Sequence, residues 1–400
     1  MSILFLTLKV FSATGGIEKV CRIAGKALYE YGLQHNRKVS IFSMHGPKDA
    51  ANNNPYFPAE IYTGFGGAKM KFVKDAVIAG KKSDTVILSH INLLLAGWLI
   101  KKVNPSVRII LIAHGIEVWK TLSPHKQHML QACDHIACVS RFTMDKIKLL
   151  HNIPAEKCSV LNNCIDPFLA RPEEKKRDPE LVKRYGFSPD DIILLTLTRL
   201  SERDRYKGYD AVLRSMVSLI KQQPAQKKIK YLLAGGYDNK EKLFLDELIE
   251  RSGLREHVIL SGYIREEELA AHFSLADIYL MPSIKEGFGI VFVEAMYYGV
   301  PAIAGNADGS VDALLNGRLG LLINPEDPDA ITEAVMKMIR DPKQFLPDHG
   351  ILMEHFSYEK YKEKLEEIIN EEQPKRETVK RKTIKEKQET INEKQKTRNG

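Results

Sequence analysis

The feature that most constrains this chain is a repeated alternation of short apolar runs with amphipathic helical stretches such as 17–33 and 141–150, the latter N-capped by Ser140. The runs are apolar on both faces, which is typical of parallel strands covered by helices on each side. They read ILFLTL, KVSIFSM, DTVILS, VRIILIA, DHIACV and CSVLN in the first half, then DIILLTLT, KIKYLLAG, HVILSG, DIYLMPS, VPAIAG and GLLIN. The pattern predicts an α/β fold with two doubly wound, Rossmann-like sheets.

The length of 400 residues also favours two domains. A Pro-rich, charged stretch at 166–180 predicts a linker between an N-terminal domain, 1–165, and a C-terminal domain, 181–357. A final helix is predicted at 358–370 and a basic disordered tail at 371–400, for which a solvated lone helix is the alternative. Two such sheets leave a cleft between the carboxyl ends of their strands, where we expect a ligand.

Composition indicates an ordinary globular protein of the cytoplasm, with 44% apolar and 28% charged residues. The five cysteines form no C-x-x-C pair, which predicts reduced thiols without a disulfide framework or a zinc site. The N-terminus reads as a strand rather than a signal peptide. The longest apolar stretch, 86–100, is interrupted by polar residues and is too short to span a bilayer.

Charge is distributed unevenly along the chain. Residues 1–170 hold 21 Lys and Arg against 11 Asp and Glu, whereas residues 171–370 hold 28 against 34. A basic front half beside an acidic back half suggests an anionic partner, for which nucleic acid and an anionic membrane surface are both open.

The segment EGFGIVFVE places Glu286 and Glu294 around a Gly-Phe-Gly turn that precedes a helix ending near Gly299. The strand before it is predicted to end at Ser283. Gly287 and Gly289 allow close approach of a ligand to the backbone, and the helix N-terminus is an anion site. A carboxylate can accept hydrogen bonds from two vicinal hydroxyls. The arrangement therefore suits a nucleotide sugar, with the sugar near Glu286, the diphosphate at the amides and the ribose at Glu294.

At this point the sequence resembles family 4 of the glycosyltransferases, which have the GT-B fold. The segment PSIKEGFGIVFVEAMYYGVPAIA resembles the E-x7-E donor-site signature of that family. In the same order as in the family come TGGIEK (14–19), AHG (113–115), VLNNCID (160–166), TRLSERDRYKGYD (198–210) and NGRLGLLINPEDPDAI (316–331). The resemblance covers roughly residues 1–370.

The resemblance implies a role for each matched residue. Catalytic roles are implied for Glu286, His114, Arg199 and Lys207, where the two cations neutralise the departing diphosphate and His114 contacts the donor sugar. It also implies retention of anomeric configuration, without identifying a nucleophile. The implied donor-binding residues are Gly15, Gly16, Arg199, Lys207, Glu286, Gly287, Phe288, Gly289, Ile290 and Glu294.

Four of these residues have a structural alternative. Glu294 could be a solvated helix residue, Arg199 and Lys207 could be surface charges, and His114 could be a packed, hydrogen-bonded histidine at a strand end. Asp-Pro-Asp at 327–329 formally matches a metal motif, but an N-cap and first-turn acids explain it. We therefore expect no metal and no cofactor, with the nucleotide sugar acting as a substrate.

The loop NADGSVDAL departs from the family pattern. It places Asp308 and Asp312 where Gly-Gly followed by Pro-Glu is frequent. We expect this loop near the sugar and the two phosphates, where an extra acid can alter the choice of donor.

The acceptor site is not readable from the sequence. Segment 64–82 mixes lysines with Phe65, Met70, Phe72 and Val73, which suits either an interfacial helix on the inner leaflet or an ordinary solvated helix. We expect a cytoplasmic hexosyltransferase that acts on a glycan or lipid-linked acceptor. Peripheral contact of segment 64–82 with an anionic membrane is left open, and nucleic acid is not expected as a partner. The alternatives are an epimerase or a phosphorylase on the same fold, or a non-catalytic protein that binds sugar or nucleic acid.

Overall fold

Two parallel β-sheets form the framework of the computed structural model, which describes residues 2–11, 15–49, 51–52, 54–171, 174–223 and 227–371. The first sheet has the order β3-β2-β1-β4-β5-β6-β7 and the second β10-β9-β8-β11-β12-β13. The strands of the first are β1 (Ser2–Thr7), β2 (Lys38–Ser43), β3 (Tyr62–Gly64), β4 (Thr85–Leu88), β5 (Arg108–Ala113), β6 (His135–Cys138) and β7 (Cys158–Val160). Those of the second are β8 (Ile192–Leu197), β9 (Ile229–Ala234), β10 (Val258–Gly262), β11 (Ile278–Met281), β12 (Ala302–Gly305) and β13 (Gly320–Ile323).

Fourteen α-helices lie within the described residues. The helices before β8 are α1 (Gly16–Gln34), α2 (Lys69–Gly80), α3 (Leu94–Val103), α4 (Pro124–Gln131), α5 (Arg141–His151) and α6 (Pro179–Tyr185). Those after it are α7 (Tyr209–Gln222), α8 (Asn239–Arg251), α9 (Leu269–Leu275), α10 (Ile290–Tyr297), α11 (Ser310–Ala313), α12 (Pro328–Arg340), α13 (His349–Phe356) and α14 (Tyr358–Asn370).

The predicted strands are confirmed, with one addition. Each of the twelve apolar runs contains a strand. The inner strands are buried on both faces, as in β1, where residues 3–6 are all buried, whereas strands nearer the sheet edges, such as β2 and β13, are only partly buried. Strand β3 was not predicted because its three residues are too few to show a pattern. Strand β11 ends at Met281 rather than at the predicted Ser283, since Pro282 has no N–H to continue the ladder.

Both sheets reverse their strand order beside their first strand. In the first sheet β1 lies between β2 and β4, and in the second β8 lies between β9 and β11. Ligands of such sheets bind outside the carboxyl ends of the strands at this switch point. The loops after β1, β8 and β11 are therefore placed to form the site.

The C-terminal helix returns to the first sheet. Tyr358 Oη in α14 donates to Glu30 in α1 over 2.8 Å, and Tyr31 donates to Asn370. The predicted domain limits remain a proposal. The last strand of the first sheet, β7, ends at Val160, and the first strand of the second sheet, β8, begins at Ile192. The predicted tail lies outside the described residues apart from Glu371. None of the described helices combines the length and apolar character needed to cross a bilayer.

Candidate donor site between the two sheets

The loop after β11 brings the two sheets into direct backbone contact. A methyl group on Gly287 would overlap the carbonyl oxygen of His114, and one on Gly115 would lie 2.6 Å from Gly287 Cα. Gly289 has a φ of +84° and is the N-cap of α10, without a side-chain cap. These glycines let the N-terminus of α10 open into the space between the sheets.

Glu286 is held by a lysine from the loop after β8. Lys207 Nζ donates to Glu286 Oε2, and the Gly287 amide donates to Oε1 over 3.0 Å. Both side chains are mostly buried, with exposures of 17% for Lys207 and 16% for Glu286. The structure thus brings together two of the predicted residues that come from different loops.

Arg199 is placed differently from Lys207. Its side chain is 78% exposed and pairs with Asp204, which accepts from Nε and Nη2, each over 3.2 Å. Burial acts to raise the pKa of Asp204, but a hydrogen bond from Ser201 and the charge of Arg199 outweigh it, so the pKa is lowered. Sequence reasoning missed Asp204 as the anchor of this arginine, although it lies within the quoted segment 198–210.

Glu294 pairs with a residue of α1 that sequence reasoning also missed. Lys19 Nζ lies 2.5 Å from Glu294 Oε1, and the two side chains are only 11% and 4% exposed. Burial acts to lower the pKa of Lys19, but the Glu294 carboxylate outweighs it and raises this pKa. The alternative of a solvated Glu294 is therefore wrong, since its carboxylate lies inside the protein.

The first glycine-rich loop faces the start of α10. Gly15 and Gly16 are exposed, and a methyl group on Gly16 would lie 3.8 Å from Ile290 Cγ2. The ring of Phe288 is buried, with its centroid 5.6 Å from that of Phe356, so a ligand can meet Phe288 only through its backbone. The N-termini of α1 and α10 consequently oppose each other across the cleft.

His114 is a hydrogen-bonded histidine at a strand end, which is the structural alternative considered from the sequence. It lies at the end of β5 beside Gly287, and its Nε2 is 2.7 Å from the carbonyl oxygen of Ser89. A carbonyl only accepts, so Nε2 carries the proton and Nδ1 is the remaining ring nitrogen. The hydrogen-bonded histidine is therefore present, and a role towards the sugar stays a prediction.

Asp308 faces into the loop that carries Glu286. Its carboxylate accepts from the Glu286 amide (2.7 Å), Ser283 Oγ (2.7 Å) and the Ser310 amide (2.9 Å). Burial raises the pKa of Asp308 to about 6. Asp312 accepts from the Arg141 amide over 2.8 Å, at the start of α5. Both acids are thus bonded to backbone, where they fix loop geometry.

The remaining candidate positions have structural roles. Asp327 caps α12 by accepting from the Asp329 and Ala330 amides over 3.0 and 3.3 Å, as predicted for the Asp-Pro-Asp segment. In the part of the chain that the structure describes, no three His, Cys, Asp or Glu side chains cluster as metal ligands would. All five cysteines are free thiols.

Family models match the chain in two consecutive blocks. The model described as Glycosyltransferase Family 4 matches residues 14–168, and the one described as Glycosyl transferases group 1 matches residues 178–346. Together they span most of the chain, with a gap of nine residues that falls in the predicted linker.

Curated relatives are similar over about half of the chain. A GDP-mannose-dependent alpha-(1-6)-phosphatidylinositol monomannoside mannosyltransferase of Mycolicibacterium smegmatis is 30% identical over 59% of this chain and 62% of its own length. A D-inositol 3-phosphate glycosyltransferase 2 of Catenulispora acidiphila is 28% identical, over 56% of this chain and 52% of its own length. The similarity thus spans less than two thirds of these relatives.

Solved structures agree over nearly the whole chain. Anabaena HepE in complex with UDP matches with a TM-score of 0.69 at 20% identity, covering 92% of this chain and 99% of that one. Sucrose-phosphate synthase of Thermosynechococcus elongatus matches with a TM-score of 0.68 at 19% identity, covering 92% and 98%. The fold shared with these proteins and the two family models establish that this chain belongs to family 4 of the glycosyltransferases, with the GT-B fold.

Proposed function

We propose that this protein is a retaining glycosyltransferase that moves a hexosyl unit from a nucleoside diphosphate sugar to a hydroxyl of a glycan or lipid-linked acceptor. One observation carries the proposal. Glu286 and Glu294 flank the start of α10, and each is paired with a lysine from elsewhere in the chain, Lys207 from the loop after β8 and Lys19 from α1. This constellation offers carboxylates for hydroxyls and N–H groups for phosphates in one cleft.

Each part of the donor is assigned to a group of this site by hydrogen bonding and charge. The ribose hydroxyls donate to Glu294 and the sugar hydroxyls to Glu286, because ionised carboxylates only accept. The diphosphate lies at the N-terminus of α10, whose dipole and N–H groups favour an anion. Lys207 and Arg199 neutralise the charge that develops on the departing diphosphate. Each of the two cations contributes roughly 10²–10³ in rate.

The relatives support this donor class. One of them is named a GDP-mannose-dependent mannosyltransferase, and HepE has been solved with UDP, with UDP and glucose, and with UDP-glucose. UDP and GDP sugars are therefore the first donors to test. We assign charge neutralisation at the diphosphate to the arginine and lysine rather than to a divalent ion, and we propose that no cofactor takes part.

Closure of the cleft completes the site in this proposal. Gly16 approaches Ile290, and His114 lies beside Gly287, so groups of the N-terminal half of the chain cover a donor held by the C-terminal half. Such closure excludes water and aligns the acceptor hydroxyl with the anomeric carbon.

We also propose that the protein works in the cytoplasm, in peripheral contact with an anionic membrane through α2. Two of the apolar residues named for segment 64–82, Phe65 and Phe72, are not available for membrane contact, because they are buried in the core. Met70 and Ile78 are instead 86% and 55% exposed. They share one face of α2 with exposed Lys74, at spacings of four residues. An exposed apolar and cationic face favours an anionic bilayer.

Thermal unfolding with nucleotides tests the donor site. We expect one nucleotide family among UDP, GDP, ADP, dTDP and their common sugar conjugates to stabilise the protein. A ligand at a hundredfold its dissociation constant adds about 2.7 kcal/mol to the free energy of unfolding. The Glu294→Ala variant should lose most of this gain, because the ribose loses its carboxylate.

The outcomes separate the candidate functions. Product analysis with the stabilising donor distinguishes transfer from epimerisation, which changes the donor without an acceptor, and from phosphorolysis, which requires inorganic phosphate. If no nucleotide or nucleotide sugar shifts the unfolding temperature, the two glutamates do not form a donor site and the proposed function is wrong.

A further inference from the structure

The ion pair between Lys19 and Glu294 joins the two halves of the molecule inside the candidate site. The residues are separated by 275 positions in sequence, yet Lys19 Nζ and Glu294 Oε1 lie 2.5 Å apart. Lys19 is in the first turn of α1, and Glu294 is in α10. Each partner is thus contributed by one of the two helices whose N-termini face each other.

Packing alone does not require such a pair. Moving two charges out of water costs several kcal/mol for each ion, and apolar residues of similar volume often serve a buried position as well or better. The pair lies at the carboxylate that the proposed function assigns to the ribose. Lys19 contacts Oε1, so Oε2 is the oxygen left to accept from ribose hydroxyls.

We infer that Lys19 is a positioning residue for nucleotide binding, an inference that rests on the proposed function. It fixes the rotation of the Glu294 carboxylate, so that Oε2 faces the ribose and accepts from its hydroxyls. Lys19 does not contact the reacting atoms. Its position on α1 means that the ribose carboxylate is oriented only when the two sheets have come together.

The surroundings of the pair agree with this role. Gly16, one turn before Lys19, lies close to Ile290, one turn before Glu294. Two helix N-termini carry like partial charges that oppose close approach until an anion lies between them. The Lys19–Glu294 attraction offsets this repulsion and holds the cleft in the geometry that a diphosphate requires.

A second ion pair on the same helix supplies a matched control. Arg22 Nη2 lies 3.0 Å from Glu266 Oε1, and it also joins α1 to the second half of the chain. Glu266 follows β10 and is not one of the predicted site residues. Arg22→Met therefore breaks a contact between the two halves and leaves Glu294 and Lys19 paired.

The test compares a ribonucleoside diphosphate with its 2′-deoxy analogue. The probe is the diphosphate that stabilises the wild type most, and binding is measured by calorimetry for wild type, Lys19→Met, Lys19→Arg and Arg22→Met. We expect the wild type to bind the ribo form roughly 10- to 100-fold more tightly, as for one or two hydrogen bonds to a charged group.

In Lys19→Met this preference for the ribo form should shrink to less than about threefold, because a loosened carboxylate no longer discriminates the 2′-hydroxyl. The KM for the donor should rise by a similar factor while kcat changes less. Lys19→Arg should recover much of the preference, since it restores a cation. Arg22→Met should keep the wild-type preference.

These measurements distinguish failure of the role of Lys19 from failure of the proposed function. If Glu294→Ala abolishes the ribo preference but Lys19→Met retains it, the positioning role is overturned and the donor site stands. Equal losses in Lys19→Met and Arg22→Met also overturn it, because a general contact between the halves then explains the effect. If the wild type binds no nucleotide, the proposed function itself fails.

Discussion

Asp308 shows how a single buried carboxylate can shape the candidate site without touching a ligand. It receives two backbone N–H bonds and one hydroxyl bond, and one of those amides belongs to Glu286. The sequence predicted an extra acid near the donor. The structure turns that acid inwards, so we expect Asp308 to affect the choice of donor only through the position of Glu286.

Replacement of Asp308 by Asn should change how stability depends on pH. Burial raises the pKa of Asp308 from 3.8 to about 6, so between these values the folded protein binds more protons at this site than the unfolded chain. The contribution of Asp308 to the free energy of unfolding therefore falls as the pH rises from about 4 to about 6. The total change is about 3 kcal/mol for two pKa units.

The measurement is urea denaturation of wild type and Asp308→Asn at several values between pH 4 and pH 7. The free-energy difference between wild type and variant should shift against the wild type by about 2–3 kcal/mol across this range and then remain constant. A difference that is independent of pH would show that Asp308 titrates near its ordinary value.

At the scale of single elements, α2 illustrates how one helix serves both the core and the surface. Phe72 and Ala76 are buried, whereas Met70, Lys74 and Ile78 are exposed. A spacing of four residues places each set on its own face. The lysines of the segment were readable from the sequence, but which apolar residues remained outside depended on how α2 packs.

The proposed membrane contact predicts a loss of vesicle binding in the double variant Met70→Glu/Ile78→Glu. Burying one such side chain contributes about 1.5–3 kcal/mol when complete, and the new charges face anionic lipid. We expect at least a tenfold loss of co-sedimentation with vesicles of anionic phospholipid. Leu243→Glu, which alters a 70% exposed leucine in α8, is the matched control and should bind as the wild type does. Equal binding by all three proteins would exclude α2 as the contact.

The whole molecule depends on contacts that join its two halves. Gly287 touches His114 and Gly115, Lys19 pairs with Glu294, and α14 returns from the second sheet to pack on α1. The contact at Gly287 is between backbones, so it leaves no room for a side chain. The proposed closure of the cleft therefore relies on a glycine at this position.

Gly287→Ala should keep the two halves apart. The added methyl group would overlap the His114 carbonyl oxygen, and a misplacement of about 1 Å can cost roughly 10²-fold in rate. We expect kcat to fall by about that factor and the radius of gyration from small-angle scattering to increase. Gly16→Ala is the scattering control, since its methyl would lie in ordinary contact with Ile290 at 3.8 Å. A variant with wild-type scattering and turnover would contradict this role.

The sequence by itself determined the α/β architecture, because twelve of the thirteen strands lie in apolar runs and a helix separates each run from the next. It also placed Glu286 and Glu294 around a helix start, because glycine spacing and helix periodicity are local properties. It missed β3, where three residues are too short to carry a pattern.

Only the tertiary structure decided the partners of these residues. Lys19 meets Glu294 across 275 positions, Lys207 meets Glu286 across 79, and Asp308 turns towards the Glu286 amide rather than the cleft. Local patterns record which residues lie on one face of an element. They do not record which faces of two sheets will meet, because that is set by packing between segments far apart in the chain.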